Sequence, residues 1–205
     1  MAVVPSIKGS IFVRAVEDVL KLVSGGQLSQ AELRRRLPPG DLRILDEPIL
    51  GSEWYDVQVY GRLVELLRDV EGGGQNEYLR KRGVRSAEAL LQAGLYQQME
   101  YLNRTQLAQQ SDPESRFRAF GRDLRLLMSL QGSILNFTQQ TPRVDPEHAD
   151  RYLLEFSEAI AYPEVLCWTT EGFINRMAAQ HDSPDLWRWE RPRPDVILYR
   201  MRRSL

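Results

Sequence analysis

In the last quarter of the chain, the spacing of hydrophobic residues changes between the pattern of a strand and the pattern of a helix. Residues 151–158 alternate large apolar and polar side chains, which is typical of a half-buried strand. Residues 169–180 follow with a helical pattern that Thr169 is expected to cap. Two strand-like runs, 186–190 and 195–202, flank the tetrapeptide Arg191-Pro-Arg-Pro194. Because that connection is too short for a crossover, the pattern predicts an antiparallel hairpin.

The first part of the chain carries helical patterns separated by glycine and proline. Residues 11–23 have an apolar helical face that ends at Gly25-Gly26. Ser29-Gln-Ala-Glu32 has the form of a capping box and predicts a short helix through Arg36. Pro38-Pro39-Gly40 is expected to break that helix, with Asp41 capping a single further turn. Residues 59–70 form the next apolar stripe, which a glycine triplet ends.

Further helices are predicted between residues 76 and 132. Asn76 caps a turn over 77–82 that ends at Gly83, and Ser86 opens a second short helix through Leu91. The more polar run 95–109 is also compatible with a helix. Asp112-Pro113-Glu114 is a strong start signal, since it combines a cap, a proline at the first helical position and an acid in the first turn. It opens the longest predicted helix.

Together these patterns predict an α+β fold in one domain, residues 1–205. Residues 1–145 form a helical part that packs on a small carboxy-terminal antiparallel sheet, and residues 146–205 form that strand-helix-hairpin unit. The boundary is placed at the proline-containing stretch 141–146. A chain of 205 residues with 42% hydrophobic residues is large and apolar enough to build one proper core.

Charge and cysteine content narrow the classes of function. Lys and Arg number 27 against 28 Asp and Glu, so the net charge of -1 gives no overall attraction to nucleic acid or anionic lipid. The single cysteine cannot form an internal disulfide, which fits a reducing compartment. The sequence has neither a signal-peptide pattern nor an apolar run of about 20 residues. A cytoplasmic protein without membrane insertion is therefore expected.

No residue pattern points to catalysis, a metal or a cofactor. The two histidines, His148 and His181, are far apart in sequence and fit surface positions. Cys167 stands between Leu166 and Trp168, which is the setting of a buried thiol rather than an activated one. Nucleophile-elbow, Walker and dinucleotide-binding motifs are absent from the sequence. The sequence therefore predicts a protein that is not an enzyme.

The aromatic residues offer the candidate site. One interpretation is plain core packing; the other is an apolar pocket or partner surface where the helices meet the sheet. Phe117 and Phe120 begin a regular apolar stripe and are expected to face the sheet. A helix start near Gly172 and Phe173 would let backbone N–H groups bind a polar head group beside Val165-Leu-Cys-Trp168. The candidate ligand-binding residues are Trp54, Tyr60, Phe117, Phe120, Cys167, Trp168 and Phe173.

Several segments resemble known families. Ile7-Lys-Gly-Ser-Ile-Phe-Val-Arg-Ala-Val-Glu-Asp-Val19 resembles the first residues of heme-nitric-oxide-binding domains, which place a helical part before a strand-helix-strands unit. Residues 162–177 resemble the cysteine-containing helix start of four-vinyl-reductase-type domains, whose broader fold is shared with Bet3-like subunits of vesicle-tethering complexes. Trp54-Tyr55, Leu79 to Gly83 and Asn136-Phe-Thr138 are similar to a bacterial family of paralogues of comparable length.

The departures from these families bear on heme. Heme-binding members supply an axial histidine from the helical part, and residues 1–147 contain no histidine. Tyr199-Arg-Met-Arg202 lacks the serine of their Tyr-x-Ser-x-Arg signature. Zinc-binding relatives use several Cys and His that this chain does not have. The resemblance therefore implies a scaffold without heme or metal.

Two hypotheses of function follow. The first is a non-enzymatic sensory or adaptor module, in signalling, that binds a small apolar ligand, a protein partner, or both. The second is a purely structural protein-interaction subunit, a dimer or scaffold with a filled core. A pocket of about 300 Å³ or more lined by the aromatics would favour the first. A packed interior beneath an exposed apolar patch would favour the second.

Overall fold

The computed structural model describes residues 4–93 and 112–205. The first range contains strands and helices in the order β1 (Ser6–Lys8), α1 (Gly9–Ser24), α2 (Gln30–Arg36), α3 (Pro39–Leu45), β2 (Trp54–Asp56), α4 (Val57–Glu71) and α5 (Asn76–Gln92). The second contains α6 (Pro113–Gln131), β3 (Gln139–Asp145), β4 (His148–Ser157), α7 (Glu164–Ala178), β5 (Trp187–Arg193) and β6 (Val196–Met201). Single 3₁₀ turns follow β4 and α7 at Ala159–Ala161 and Ala179–His181. This arrangement confirms the predicted α+β fold.

The carboxy-terminal strands form one antiparallel sheet in the order β3-β4-β6-β5. The predicted hairpin is confirmed, since Trp187 pairs with Met201 and Trp189 with Tyr199. Alternate residues of β4, such as Leu154 and Phe156, are fully buried in the main core. The opposite face carries a small separate apolar cluster of Leu153, Val196 and Leu198. Because side chains alternate between the two faces along each strand, one face of the sheet packs against the helices.

The sheet begins earlier than the sequence indicates. Strand β3 covers the proline-containing stretch 141–146 almost entirely, so the predicted division at residue 145 falls at the first hairpin turn. Pro142 pairs with Leu154 inside the strand instead of interrupting it. Strand β3 is at the edge of the sheet, so no strand pairs with its outer side. A proline, which has no N–H, therefore removes no hydrogen bond between strands on that side.

Helix α5 contradicts the predicted break at Gly83. The chain stays helical from Asn76 to Gln92. Gly83 lies inside this helix, at the place where α5 crosses α7. A Cβ atom at Gly83 would stand 1.9 Å from the carbonyl oxygen of Thr169, and one at Gly172 would stand 2.0 Å from that of Arg80. The two glycines therefore let the two helix backbones touch. Here glycine serves close packing and does not terminate the helix.

The predicted caps at Ser29 and Asp112 are confirmed, whereas those at Asn76 and Ser86 are wrong, since the helix begins at Asn76 after Gln75 and contains Ser86 in its interior. Ser29 Oγ accepts a hydrogen bond from the N–H of Glu32 at 3.1 Å, and Asp112 Oδ1 accepts one from the N–H of Ser115 at 2.9 Å. The predicted break at Pro38-Pro39-Gly40 is wrong in part, because Pro39 opens α3 as its first residue and Asp41 lies inside that helix. The helix expected over 95–109 lies outside the described residues. None of the described helices has the length and apolar character to cross a membrane.

A short ribbon of strands escaped the sequence analysis. Strands β1 and β2 pair antiparallel, with Ile7 opposite Tyr55, and Ile7 also bridges to Leu135. Three-residue strands are too short to show a period of two. The ribbon fixes the lead-in of the chain against both α4 and the segment before β3, and it places Trp54 on the surface.

Candidate functional site

The aromatic residues of α6 pack against the sheet as expected. Phe117 stacks on Tyr152 of β4 with 4.2 Å between ring centroids. Phe120 is 3% exposed, and its ring centroid lies 6.2 Å from that of Trp187 on β5. Aromatic pairs at these separations stabilise a core beyond the area that they bury. The stripe that begins α6 therefore closes the helix–sheet junction on this side.

Cys167 lies at the centre of a second buried group. Its Sγ atom is 3.8 Å from the carbonyl oxygen of Pro163 and 3.6 Å from a guanidinium nitrogen of Arg191. Burial raises the pKa of the Cys167 thiol to about 12, although the positive charge of Arg191 opposes that change. The thiol is therefore protonated at neutral pH and poorly reactive. This group has the properties of core, not of a nucleophile.

The polar atoms around Cys167 bond to one another. The hydroxyl of Tyr162 is 2.8 Å from Thr170 Oγ1, and Tyr199 donates its hydroxyl proton to the carbonyl oxygen of Cys167 at 3.3 Å. Burial raises the pKa of both tyrosines, so both hydroxyls stay neutral. Arg191 donates to the carbonyl oxygen of Tyr162 at 2.6 Å. The two tyrosine hydroxyls and one terminal nitrogen of Arg191 thus have partners within the protein, whereas Arg191 Nε is buried without a hydrogen-bond partner among the described residues.

The predicted head-group site at a helix start near Gly172 is wrong. Helix α7 begins at Glu164, after Pro163, so residues 165–168 occupy its first turns and Phe173 lies in its middle. Thr169 does not cap the helix; its hydroxyl donates to the carbonyl oxygen of Val165 at 2.8 Å. Pro163 is the residue before the helix; its φ is −64° and its ψ is 145°, an extended conformation that suits the fixed φ of proline. The backbone N–H groups near Gly172 lie in the interior of the helix, so they form its hydrogen bonds and do not point to a ligand.

Trp168 belongs to a junction of α5, α7 and β5. Its ring meets that of Trp189 edge-on at 5.1 Å, and the guanidinium carbon of Arg80 lies 4.4 Å from its ring centroid. Glu171, which is fully buried, accepts hydrogen bonds from Arg80 Nε at 2.7 Å and from the N–H of Trp189 at 2.9 Å. Arg80 and the backbone of β5 thus satisfy the buried carboxylate from two sides.

The same helix covers the outer edge of β5. Asn175 Oδ1 accepts from the N–H of Trp187 at 2.7 Å, and its Nδ2 donates to the Trp187 carbonyl oxygen at 3.1 Å. Sequence reasoning overlooked Glu171 and Asn175. Their signal was present, since both are polar residues spaced by four on the apolar side of a helix, where a buried polar group requires a partner.

The remaining candidates lie elsewhere. Tyr60 is buried on α4, with its ring centroid 6.2 Å from that of Phe12. Trp54 is 41% exposed on β2, and Lys8 Nζ stands 4.1 Å from its ring centroid. Phe173 is half-buried on α7, beside the crossing with α5. The structure therefore distributes the predicted site residues over several packing groups and does not gather them around one pocket.

A small, partly open cavity lies between α6, β5 and the end of α7. Its volume is ≈ 20 Å³, room for about one water molecule, whereas pockets for organic ligands typically measure about 300–1,000 Å³. Phe120 is the one predicted site residue among its lining residues, which are Phe120, Asp123, Leu124, Leu127, Ile174, Met177, Ala178, His181 and Trp187. Residues of the described part contain no group of three or more Cys, His, Asp or Glu that could hold a metal ion.

The two histidines differ in setting. His148 is exposed at the start of β4, next to the turn that leaves β3. His181 is largely buried after α7, where its Nε2 atom is 3.4 Å from Asp123 Oδ2 and its ring meets Phe120 edge-on at 5.2 Å. Burial lowers the pKa of His181, although Asp123 and Asp182 oppose the change. The prediction of a surface position is therefore correct for His148 and wrong for His181.

Comparisons with known proteins give one structural similarity. No family model and no curated protein matches the chain. Among solved structures, an H-NOX protein from S. oneidensis in the Fe(II)NO ligation state is similar, at 13% sequence identity and a TM-score of 0.48, over 95% of this chain and 98% of that one. The resemblance to the bacterial paralogue family stays a prediction. At this level of similarity, function has to be inferred from the chain's own residues.

Native Cys167 is expected to resist alkylation and to react only after unfolding. The reason is that the thiol is fully buried and its pKa lies far above neutral. Labelling with iodoacetamide at pH 8, followed by intact mass measurement, checks this in buffer and in urea. Slow labelling of the native protein that an apolar compound suppresses would instead place Cys167 in an accessible pocket.

Proposed function

We propose that the protein is a non-enzymatic protein-interaction module with a core filled by its own side chains. The filled helix–sheet junction is the observation that carries this proposal. Phe117, Phe120 and Cys167 contact other protein groups there, and the neighbouring cavity of ≈ 20 Å³ is an order of magnitude below the volume of a typical ligand pocket. The aromatics that suggested a pocket are accounted for by packing.

The proposed module works without heme. Its residues do not fit that cofactor, because His148 is exposed on the sheet and His181 faces Asp123 beside a cavity of ≈ 20 Å³. A porphyrin would have to displace Phe120 and its aromatic neighbours from the junction. Residues 1–147 supply no histidine as an axial ligand. No step of the proposed function therefore involves heme.

The ribbon surface, formed by Val4, Lys8, Leu50 and Trp54, is the proposed contact with the partner. Val4 is 61% exposed, Leu50 57% and Trp54 41%, and all three lie on or beside strands β1 and β2. The side chain of Lys8 reaches over the Trp54 ring and donates to the carbonyl oxygen of Ser52 at 2.8 Å, which orders this surface. Tryptophan is among the residue types that are enriched at the energetic centres of protein interfaces. The partner is a protein with an apolar face.

A panel of fatty acids and aromatic compounds is expected to leave the melting temperature unchanged. A ligand at about 100 times its Kd stabilises a protein by about 2.7 kcal/mol, which would raise the Tm of a chain of this size by about 5–10 °C. Differential scanning fluorimetry with each compound at about 1 mM detects Kd values up to the micromolar range. A saturable rise of that size, abolished by Phe120→Leu but kept in Trp54→Thr, would show a ligand pocket at the junction and contradict the proposal.

A further inference from the structure

Strand β2 has one edge with which no strand of the described chain pairs. On its other side, the N–H of Val57 and the carbonyl oxygen of Glu53 bond to residues that flank β1. Backbone groups of successive residues in a strand point alternately to its two sides, so those of Trp54 and Asp56 point away from β1. Both residues are exposed, which leaves this edge of β2 accessible to another strand.

The exposed apolar side chains gather around this edge. Seven large apolar side chains are exposed among the described residues, and more than half of them lie on this side of the protein: Val4, Leu50, Trp54 and Ile160. The first three belong to the ribbon surface. Ile160 is 75% exposed and precedes Ala161, whose carbonyl oxygen accepts from Gln58 Nε2 at 2.7 Å, two residues after β2. Exposed apolar side chains that gather on one side commonly mark an interaction site.

The ribbon carries both signs of charge without an internal ion pair. Lys8 Nζ contacts the Trp54 ring and the carbonyl oxygen of Ser52, and it has no ion-pair partner among the described residues. Asp56 Oδ1 accepts from the N–H of Gln58 at 2.7 Å, whereas Oδ2 has no hydrogen-bond partner in the described part of the chain. A surface that offers one unpaired cation and one unpaired carboxylate is complementary to a copy of itself.

We infer that the partner of the ribbon surface is a second copy of this chain, which adds its own β2 antiparallel to the open edge about a two-fold axis at Tyr55. The inference rests on the proposed function, because it identifies the partner of the proposed contact. In this register Trp54 lies opposite Asp56 of the second copy. The N–H of Asp56 then donates to the carbonyl oxygen of Trp54 in the other copy, and the two-fold axis generates this bond twice.

The same register pairs the free charges. Residues directly opposite each other on neighbouring strands lie on the same face of a sheet. Lys8 is opposite Trp54, so Lys8, Trp54 and Asp56 of the second copy form one row across the interface. Lys8 Nζ already lies over the Trp54 ring, 4.1 Å from its centroid, and thus extends from β1 across β2 toward that carboxylate. The axis again produces two such contacts, and the open edge of β2 is covered.

Sedimentation equilibrium of the full chain tests the inference at about 1–200 µM, since interfaces with few contacts commonly bind in the micromolar range. We expect a mass that rises with concentration from 23.7 kDa to twice that value. Lys8→Glu places like charges opposite each other at both contacts, so it should raise the Kd of the dimer at least about tenfold. Arg34→Glu is the matched control, because Arg34 is exposed on α2, which pairs through Arg36 with Asp69 at the far end of α4 from β2.

Reversal of both charges separates the contact from a loss of stability. Lys8→Glu combined with Asp56→Lys restores the attraction with exchanged signs, so its Kd should return toward that of the wild type. Asp56→Asn is measured beside it, because asparagine keeps the cap of α4 and removes only the charge. This variant should also weaken the dimer. If the double variant does not fold, Lys8→Glu and Asp56→Asn decide against the Arg34→Glu control.

The possible results separate this inference from the proposed function. A wild-type chain that stays monomeric throughout this range, or a dimer that Lys8→Glu and Arg34→Glu affect equally, overturns the second copy as partner. So does a folded double variant that dimerises no better than Lys8→Glu. A monomer with no attached small molecule leaves the proposed interaction module intact, with a different protein as its partner. A small molecule retained in native mass spectrometry would instead contradict the proposed function itself.

Discussion

Replacing Phe120 with alanine is expected to lower the free energy of unfolding by about 3–5 kcal/mol, the usual cost of truncating a buried phenylalanine. Phe120 is 3% exposed, and its ring approaches those of Tyr152, His181 and Trp187 from three different elements. The substitution removes all these contacts and enlarges a cavity that already exists beside the ring. The surrounding side chains belong to separate helices and strands, so they cannot collapse together to fill the gap.

Urea unfolding of Phe120→Ala and of Leu126→Ala measures this effect. Leu126 lies on the same helix but is 40% exposed, so its truncation should cost less than about 1 kcal/mol. Both substitutions change helix propensity in the same direction. The difference between their free energies of unfolding therefore reports the effect of burial. Equal midpoints for the two variants would mean that this face of α6 does not pack against the sheet.

Gly83→Ala is expected to destabilise the protein by at least about 3 kcal/mol, the upper end of what overpacking costs. The added Cβ would lie 1.9 Å from the carbonyl oxygen of Thr169 and 2.7 Å from the backbone nitrogen of Phe173. These are backbone atoms of α7, which cannot rotate away as a side chain would. The two helices would have to separate, and the contacts of Arg80 with Glu171 and Trp168 would weaken with them.

Gly40→Ala is the matched control for this substitution. Gly40 is also helical, but no heavy atom lies within 4 Å of the position that its Cβ would take. Alanine has the better helix propensity by about 1 kcal/mol, so Gly40→Ala should be neutral or stabilising. Thermal or urea unfolding of both variants gives the comparison. If Gly83→Ala were as stable as Gly40→Ala, the close crossing of α5 and α7 would be disproved.

Several features that depend only on neighbouring residues were predicted correctly from the sequence. The hairpin of β5 and β6 follows from two strand-like runs and a short proline-containing connection. The caps at Ser29 and Asp112 follow from side chains that bond to a backbone N–H three residues later. The packing of Phe117 and Phe120 on the sheet follows from the helical spacing of the stripe on α6.

Features that depend on distant residues were not predictable in the same way. Gly83 resembles a helix terminator until its contact with α7 is known, and that contact requires Gly172, far along the chain. Pro142 resembles a boundary until β3 is known to be an edge strand. The aromatic residues present the same difficulty, since identical residue types line a pocket or fill a core, and only their mutual distances distinguish the two.

Native mass spectrometry of the full chain, purified without denaturation, tests the central claim most directly. A filled core predicts that each chain carries the 23.7 kDa mass of the polypeptide, alone or in a protein complex, with no small molecule attached. The same sample is then measured after denaturation, and the two masses per chain should agree. A stoichiometric mass that is present in the native spectrum and lost on denaturation, whether heme or another organic ligand, would contradict the account.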